Sequence, residues 1–184
     1  MIRLALLLAL ALAVPAQAQT DASVVPDDAP DWLPMADAIA DAQAGGKLLM
    51  VHVYAPWCGW CVRVDNEVYT DDAVQAYLAE HYAATRLDSD SDDPATFFEY
   101  EMARRELASA LGVSGTPTAV FVDADGELIT KLPGYNDAQT FLLALQFVRE
   151  EAYDTTTFAD FVAARRAAPE AEPETPADVA DGRP

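Results

Sequence analysis

Apolar positions along this chain recur at two periods, and the changes between them mark out its elements. Residues 47–54, Lys47-Leu48-Leu49-Met50-Val51-His52-Val53-Tyr54, form a short apolar run bounded by Gly45-Gly46 and Pro56. A run of that length and punctuation predicts a strand buried on both faces. Before it, Met35 and Ile39 lie four apart within 32–44, the spacing of a core-facing helical stripe, and Gly45-Gly46 stops the helix. Beyond Pro56, residues 62–68 read as helical despite their β-branched content. Thr70-Asp71-Asp72 caps a further helix over 73–81, with Val74, Tyr77 and Leu78 on one face. A weaker strand follows at 83–88 and a charged loop at 89–94.

The second half repeats the alternation. Phe97, Phe98, Met102, Leu107 and Leu111 suggest a helix across 95–111, stopped by Gly112. Strands are predicted at 119–122 and 127–132, joined by the turn Asp123-Ala124-Asp125-Gly126. Asn136-Asp137 caps a helix over 138–150 that turns Phe141, Leu142, Leu145 and Val148 inward, and a short amphipathic piece spans 157–166. A crossover between two strands, then a hairpin and a closing helix, gives an α/β fold with a central mixed sheet and helices on both faces.

The ends differ in character. Arg3 precedes an apolar run from Leu4 to Val14, and Ala16-Gln17-Ala18 supplies a small-residue cleavage site, so residues 1–18 read as a secretory signal peptide. The run is short for a bilayer span. Residues 19–30 read as an acidic, proline-punctuated linker, 31–150 as the folded domain, 151–166 as a helical extension and 167–184 as a disordered Pro-, Ala- and acid-rich tail. The 184 residues carry a formal charge of −20, with two lysines. No basic stripe is present, which argues against nucleic acid as a partner. The excess of carboxylates implies a self-repelling, soluble surface.

The candidate chemistry lies directly after the first strand, in Pro56-Trp57-Cys58-Gly59-Trp60-Cys61, which holds both cysteines of the chain. Placed at a helix N-terminus, Cys58 meets unpaired N–H groups and the positive end of the helix dipole, which favour a thiolate and so a nucleophile near neutral pH. Cys61, one turn on, is placed to resolve a mixed disulfide formed at Cys58. A zinc site needs four ligands, and only His52 and His81 could join the cysteines. Haem attachment needs a histidine where Val62 stands. A purely structural disulfide between Cys58 and Cys61 closes so short a loop that it restricts the unfolded chain little. No metal or organic cofactor is expected.

Taken in order, Trp57-Cys58-Gly59-Trp60-Cys61 after a strand, Gly115-Thr116-Pro117-Thr118 before the next, and the Asp125-Gly126 hairpin resemble the thioredoxin family over roughly 31–150. The nearer likeness is to exported bacterial thiol-disulfide proteins, shared by Leu132-Pro133-Gly134-Tyr135 and by Tyr153, Phe158 and Phe161. The resemblance implies a thioredoxin fold with an extra C-terminal short helix, and a cis peptide at Thr116-Pro117 set against the disulfide. It further implies a substrate strand pairing with the backbone of Thr116, with Trp57, Gly59, Trp60 and Pro117 around it. Two departures stand out. His52 occupies the place where the family usually carries a buried aspartate, and it reads either as a base or as a hydrogen-bonded core histidine. The segment 89–111 is also longer than a minimal member needs.

The expected activity is that of an exported, periplasmic thiol-disulfide oxidoreductase, a reductase of protein disulfides. It acts as a monomer on protein thiols and disulfides and is recharged by a membrane thiol reductant. Two other readings stay open: a disulfide oxidase or isomerase, since Gly59-Trp60 is typical of neither extreme, and a binding or chaperone module that uses the groove without turnover.

Overall fold

The computed structural model describes Pro26 and residues 29–167. The signal-peptide and tail readings, and most of the linker, lie outside the described residues. β1 (Leu48–Tyr54) is the centre of a four-stranded sheet. It pairs in parallel with β2 (Tyr82–Asp88), Leu48 opposite Tyr82 through Tyr54 opposite Asp88. On its other side it runs antiparallel to β5 (Thr118–Val122), Leu49 opposite Val122 through Val53 opposite Thr118. β6 (Leu128–Pro133) completes the order β2-β1-β5-β6.

Because β1 lies between two strands with both faces covered, its side chains alternate between two cores instead of between core and water. Leu49, Val51 and Val53 pack with Ala38, Ile39 and Ala42 of α1 (Met35–Gly45) and Leu107 and Ala108 of α4 (Arg104–Ala110). Met50 packs on the opposite face with Val64 of α2 (Gly59–Glu67), Val74 and Leu78 of α3 (Asp72–His81) and Phe141, Leu145 and Val148 of α5 (Ala138–Arg149). His52 has the same parity as Met50, so the one polar residue of β1 is directed beneath α2. Asp71 caps α3 by accepting from the N–H groups of Ala73 and Val74, each at 3.0 Å. α6 (Phe158–Ala167) extends the α5 layer, with Phe147 against Phe158 and Phe161 at centroid distances of 5.4 and 5.3 Å.

Two expectations are corrected. The helix expected over 32–44 begins only at Met35. Leu33 precedes a proline, which disfavours helical backbone there, and it pairs instead with β2, Leu33 N–H to Ala84 C=O at 2.9 Å. The helix expected over 95–111 is confined to α4. Its first half is a two-stranded antiparallel hairpin, β3 (Pro94–Phe97) and β4 (Tyr100–Ala103). Ala95 and Phe97 are buried while Thr96 is exposed, so the period there is two, over a run too short to register. Phe98 turns the corner with φ of 51°, and its ring packs on Gly126, where any β-carbon would come within 3.0 Å. Gly126 itself sits at φ 95°, so the turn of one hairpin makes room for the turn of the other.

Candidate active site

The end of β1 and the start of α2 fix the cysteines. Ala55 C=O accepts from Cys58 N–H at 3.0 Å, closing the turn at Pro56-Trp57. Cys58 is the N-cap of α2 in extended conformation, and its sulfur accepts the Cys61 N–H at 3.0 Å. Cys58 and Cys61 form a disulfide. Both are largely buried, Cys58 4 % and Cys61 2 % exposed, whereas the flanking indoles stand out at 73 % for Trp57 and 56 % for Trp60. A partner therefore meets two aromatic faces with the disulfide set between them.

Trp57 is tied by its Nε1 to Asp90 in the loop after β2, and that loop is anchored in turn by Ser89 N–H and Oγ on the Tyr54 carbonyl at 2.8 and 3.1 Å. Trp60 leans on Tyr135 at 5.6 Å between centroids. The Arg63 guanidinium lies 5.4 Å from the Trp60 ring and 4.6 Å from the Tyr135 ring. Glu67 accepts from Arg63 Nε at 2.8 Å and from the Tyr135 hydroxyl at 2.7 Å, which latches the loop after β6 to the active-site helix. Gly59 has open space where a β-carbon would go, so packing does not require glycine between the cysteines.

The Thr116-Pro117 peptide is cis, and Gly134 N–H donates to Pro117 C=O at 2.8 Å. Trp57 and Thr116 line one groove of about 260 Å³, together with Ser89, Arg105, Ser109 and Gly115. The expected substrate-contacting residues thus fall into two groups. Trp57 and Thr116 share a groove, while Pro117 is buried and reaches His52 and Tyr69 across a small cavity of about 10 Å³.

His52 is 1 % exposed, and its Nδ1 lies 3.0 Å from the Tyr69 hydroxyl. Burial, reinforced by the Arg86 charge, pushes its pKa down to about 3, so the ring is neutral at any physiological pH. Burial also pushes the Tyr69 phenol up, which keeps Tyr69 as the donor and leaves the ring proton on Nε2. That nitrogen faces Asp65 Oδ1 at 4.0 Å. Asp65 is 3 % exposed, and burial raises its pKa while an ion pair to Arg86 Nη2 at 2.9 Å opposes the rise. Arg86 stands opposite His52 in the β1–β2 register and is sandwiched between the Tyr54 and Trp32 rings at 4.2 and 5.5 Å.

Sequence reasoning missed Asp65 and Arg86. The signal for Asp65 was available: it follows Cys61 by four residues, which puts both on the same face of α2 one turn apart. Arg86 carried none, because its partner is set by strand register. Among the described residues, no group of three or more His, Cys, Asp or Glu side chains is placed to hold a metal ion.

Comparison with known proteins agrees with this geometry. Residues 35–149 match the family model described as a thioredoxin-like domain. The thiol:disulfide interchange protein DsbD of Yersinia pestis is 35 % identical over 116 residues, which are 62 % of this chain and 18 % of that protein. The chain therefore spans about a fifth of the length of that relative. Among solved structures, a thioredoxin-fold protein from Helicobacter pylori superposes with a TM-score of 0.58 at 23 % identity, covering 73 % of this chain and 90 % of that one. A thioredoxin from Thermus thermophilus superposes with a TM-score of 0.55 at 29 % identity, covering 65 % and 87 %.

Proposed function

The chain belongs to the thioredoxin-like family of thiol-disulfide oxidoreductases, and from that premise we propose that it is an exported reductase of protein disulfides. The observation that carries the reading is Cys58 as N-cap of α2, its sulfur receiving a backbone N–H and standing between two exposed indoles.

In the reduced protein the Cys58 thiolate attacks one sulfur of a substrate disulfide. A Cys58–substrate disulfide forms, and the other substrate sulfur leaves as a thiolate that takes a proton. The Cys61 thiolate then attacks Cys58 Sγ, the second substrate thiolate departs, and the protein keeps the Cys58–Cys61 disulfide while the substrate gains two electrons. An extended substrate segment lies in the groove between Trp57 and Thr116, where the Thr116 backbone makes no hydrogen bond among the described residues. Asp65, one turn below Cys61 and held by Arg86, is the carboxylate best placed to take the Cys61 proton. The neutral His52 stands beside it, its Nε2 4.0 Å from Asp65 Oδ1, and acts as a positioning residue.

The charges around the site support the reductase direction. A stable thiolate makes an oxidant, and here the helix end and one N–H favour it while the Asp90 carboxylate bound to Trp57 and the Asp65 carboxylate below oppose it. The disulfide form is favoured by that balance, as a reductase requires. Residues 1–18 direct the protein to the periplasm with cleavage after Ala18, and a membrane thiol reductant restores the dithiol. Two tests bear on this. Equilibration with glutathione is expected to give a potential near roughly −270 mV, and a value near the strongly oxidising end at about −120 mV sinks the reductase reading. Cys61→Ser is expected to accumulate mixed disulfides with periplasmic proteins and Cys58→Ser is not; equal trapping by both overturns the assigned roles.

A further inference from the structure

The face of α2 turned away from the core carries Trp60, Arg63 and Glu67, spaced i, i+3 and i+7, while Cys61, Val64 and Asp65 are buried behind it. All three meet one residue from outside the helix, Tyr135 of the loop between β6 and α5. The Trp60 and Tyr135 ring centroids stand 5.6 Å apart, and the Arg63 guanidinium lies 5.4 Å from the first and 4.6 Å from the second. A single oxygen of Glu67, Oε2, accepts both from Arg63 Nε at 2.8 Å and from the Tyr135 hydroxyl at 2.7 Å. These hydrogen bonds, that of Tyr135 foremost, hold the Glu67 carboxyl below the usual carboxylate range, so the acceptor stays charged at neutral pH.

The consequence falls on Trp60. An indole 56 % exposed beside a disulfide has no core to hold it, and ordering such a side chain as a partner docks weakens binding. Here the order is supplied in advance: Arg63 and Tyr135 flank the ring, and Glu67 keeps both in place. The same loop reaches the other side of the site, since Gly134 N–H donates to Pro117 C=O at 2.8 Å. Glu67 thus ties the helix that bears the cysteines to the loop that supports the cis-proline. Because Glu67 offsets the Arg63 charge, the cluster presents rings and a guanidinium plane without net charge. Such a face stacks on the chain of a protein substrate and offers little to a small disulfide.

We propose that Glu67 is a positioning residue for protein substrates: by holding Tyr135 and Arg63 it fixes the Trp60 indole as a docking face, across the disulfide from the groove of Trp57 and Thr116. This role rests on disulfide exchange at Cys58 and holds for either direction of electron flow.

The test compares two probes in the reduced full-length Cys61→Ser protein, where each reaction joins Cys58 Sγ to one sulfur of the probe and releases the other as a thiol. Insulin brings a polypeptide to the site, and hydroxyethyl disulfide brings none. Glu67→Ala is expected to lower the ratio of the insulin rate to the small-disulfide rate about fivefold, the change that follows loss of one exposed hydrogen-bonded pair. Tyr135→Phe, which keeps the ring and loses the hydroxyl, should lower the ratio too, and combining it with Glu67→Ala should lower it no further. Glu67→Gln should restore most of the ratio, because its amide oxygen accepts the same two hydrogen bonds. A change confined to the Cys58 thiolate moves both rates together and cancels in the ratio. An unchanged ratio in Glu67→Ala, losses that add in the double variant, or a Glu67→Gln ratio as low as that of Glu67→Ala overturns the role. Each of these leaves the reductase reading standing, since the glutathione potential decides that, whereas a Cys58 that reacts with neither probe overturns both.

Discussion

At the scale of single residues, the buried polar cluster beneath α2 is where the chain departs most from an apolar core. Tyr69 with His52 and Arg86 with Asp65 form two hydrogen-bonded pairs largely closed off from water, facing each other at 4.0 Å between His52 Nε2 and Asp65 Oδ1, and such a cluster is stable only in the protonation states it was built for. His52 is held neutral down to a pKa of about 3, whereas the unfolded chain protonates it below about 6.5. The unfolded state therefore binds the extra proton between these values, and stability is lost as pH falls through that window, by up to about 1.4 kcal/mol per pH unit. Asp65 acts oppositely, because its raised pKa favours the fold in its protonated form and that contribution fades as pH rises. Urea unfolding of the wild type and of His52→Asn at several pH values between 4 and 6 separates the two, since Asp65 is common to both. The wild type should lose stability more steeply on acidification; parallel profiles contradict a histidine buried neutral.

At the scale of elements, the legible parts are those with their own local chemistry. Asp71 and Asp137 announce α3 and α5 through their capping positions, and both caps are made, Asp137 accepting from Thr140 N–H at 2.8 Å. The Asp123–Gly126 turn and the strand at 48–54 were equally plain. The hairpin at 94–103 was not, because its pairing is fixed by contacts such as Phe98 on Gly126, nearly thirty residues away in the chain, and four-residue strands leave too few alternations to tell period two from a helix. Caps also offer a control on the site. Asp71→Ala is expected to cost about 1 kcal/mol in urea unfolding, the usual value of an N-cap, without altering the alkylation rate of Cys58. A change in that rate would show that α3 is coupled to the site more tightly than its packing implies.

At the scale of the whole molecule, the sheet order β2-β1-β5-β6 delivers Cys58 to a helix end and Thr116 to the rim of the adjoining groove, from stretches of sequence nearly sixty residues apart. Cys58 and Cys61 were legible as candidates from sulfur chemistry at a helix end, whereas Trp57, Thr116 and Pro117 entered only through the resemblance. The Asp65–Arg86 pair was not legible, since Arg86 comes beneath α2 only once β2 lies in register beside β1. The proposed activity rests on Cys58 being an activated thiol that reagents can reach between the two indoles. The direct measurement is the pH dependence of iodoacetamide alkylation of Cys58 in the reduced Cys61→Ser protein. A midpoint below the value of about 8.5 for a free cysteine, with reaction in the folded state, is the predicted result. A midpoint at or above that value, or a thiol that reacts only on unfolding, contradicts it.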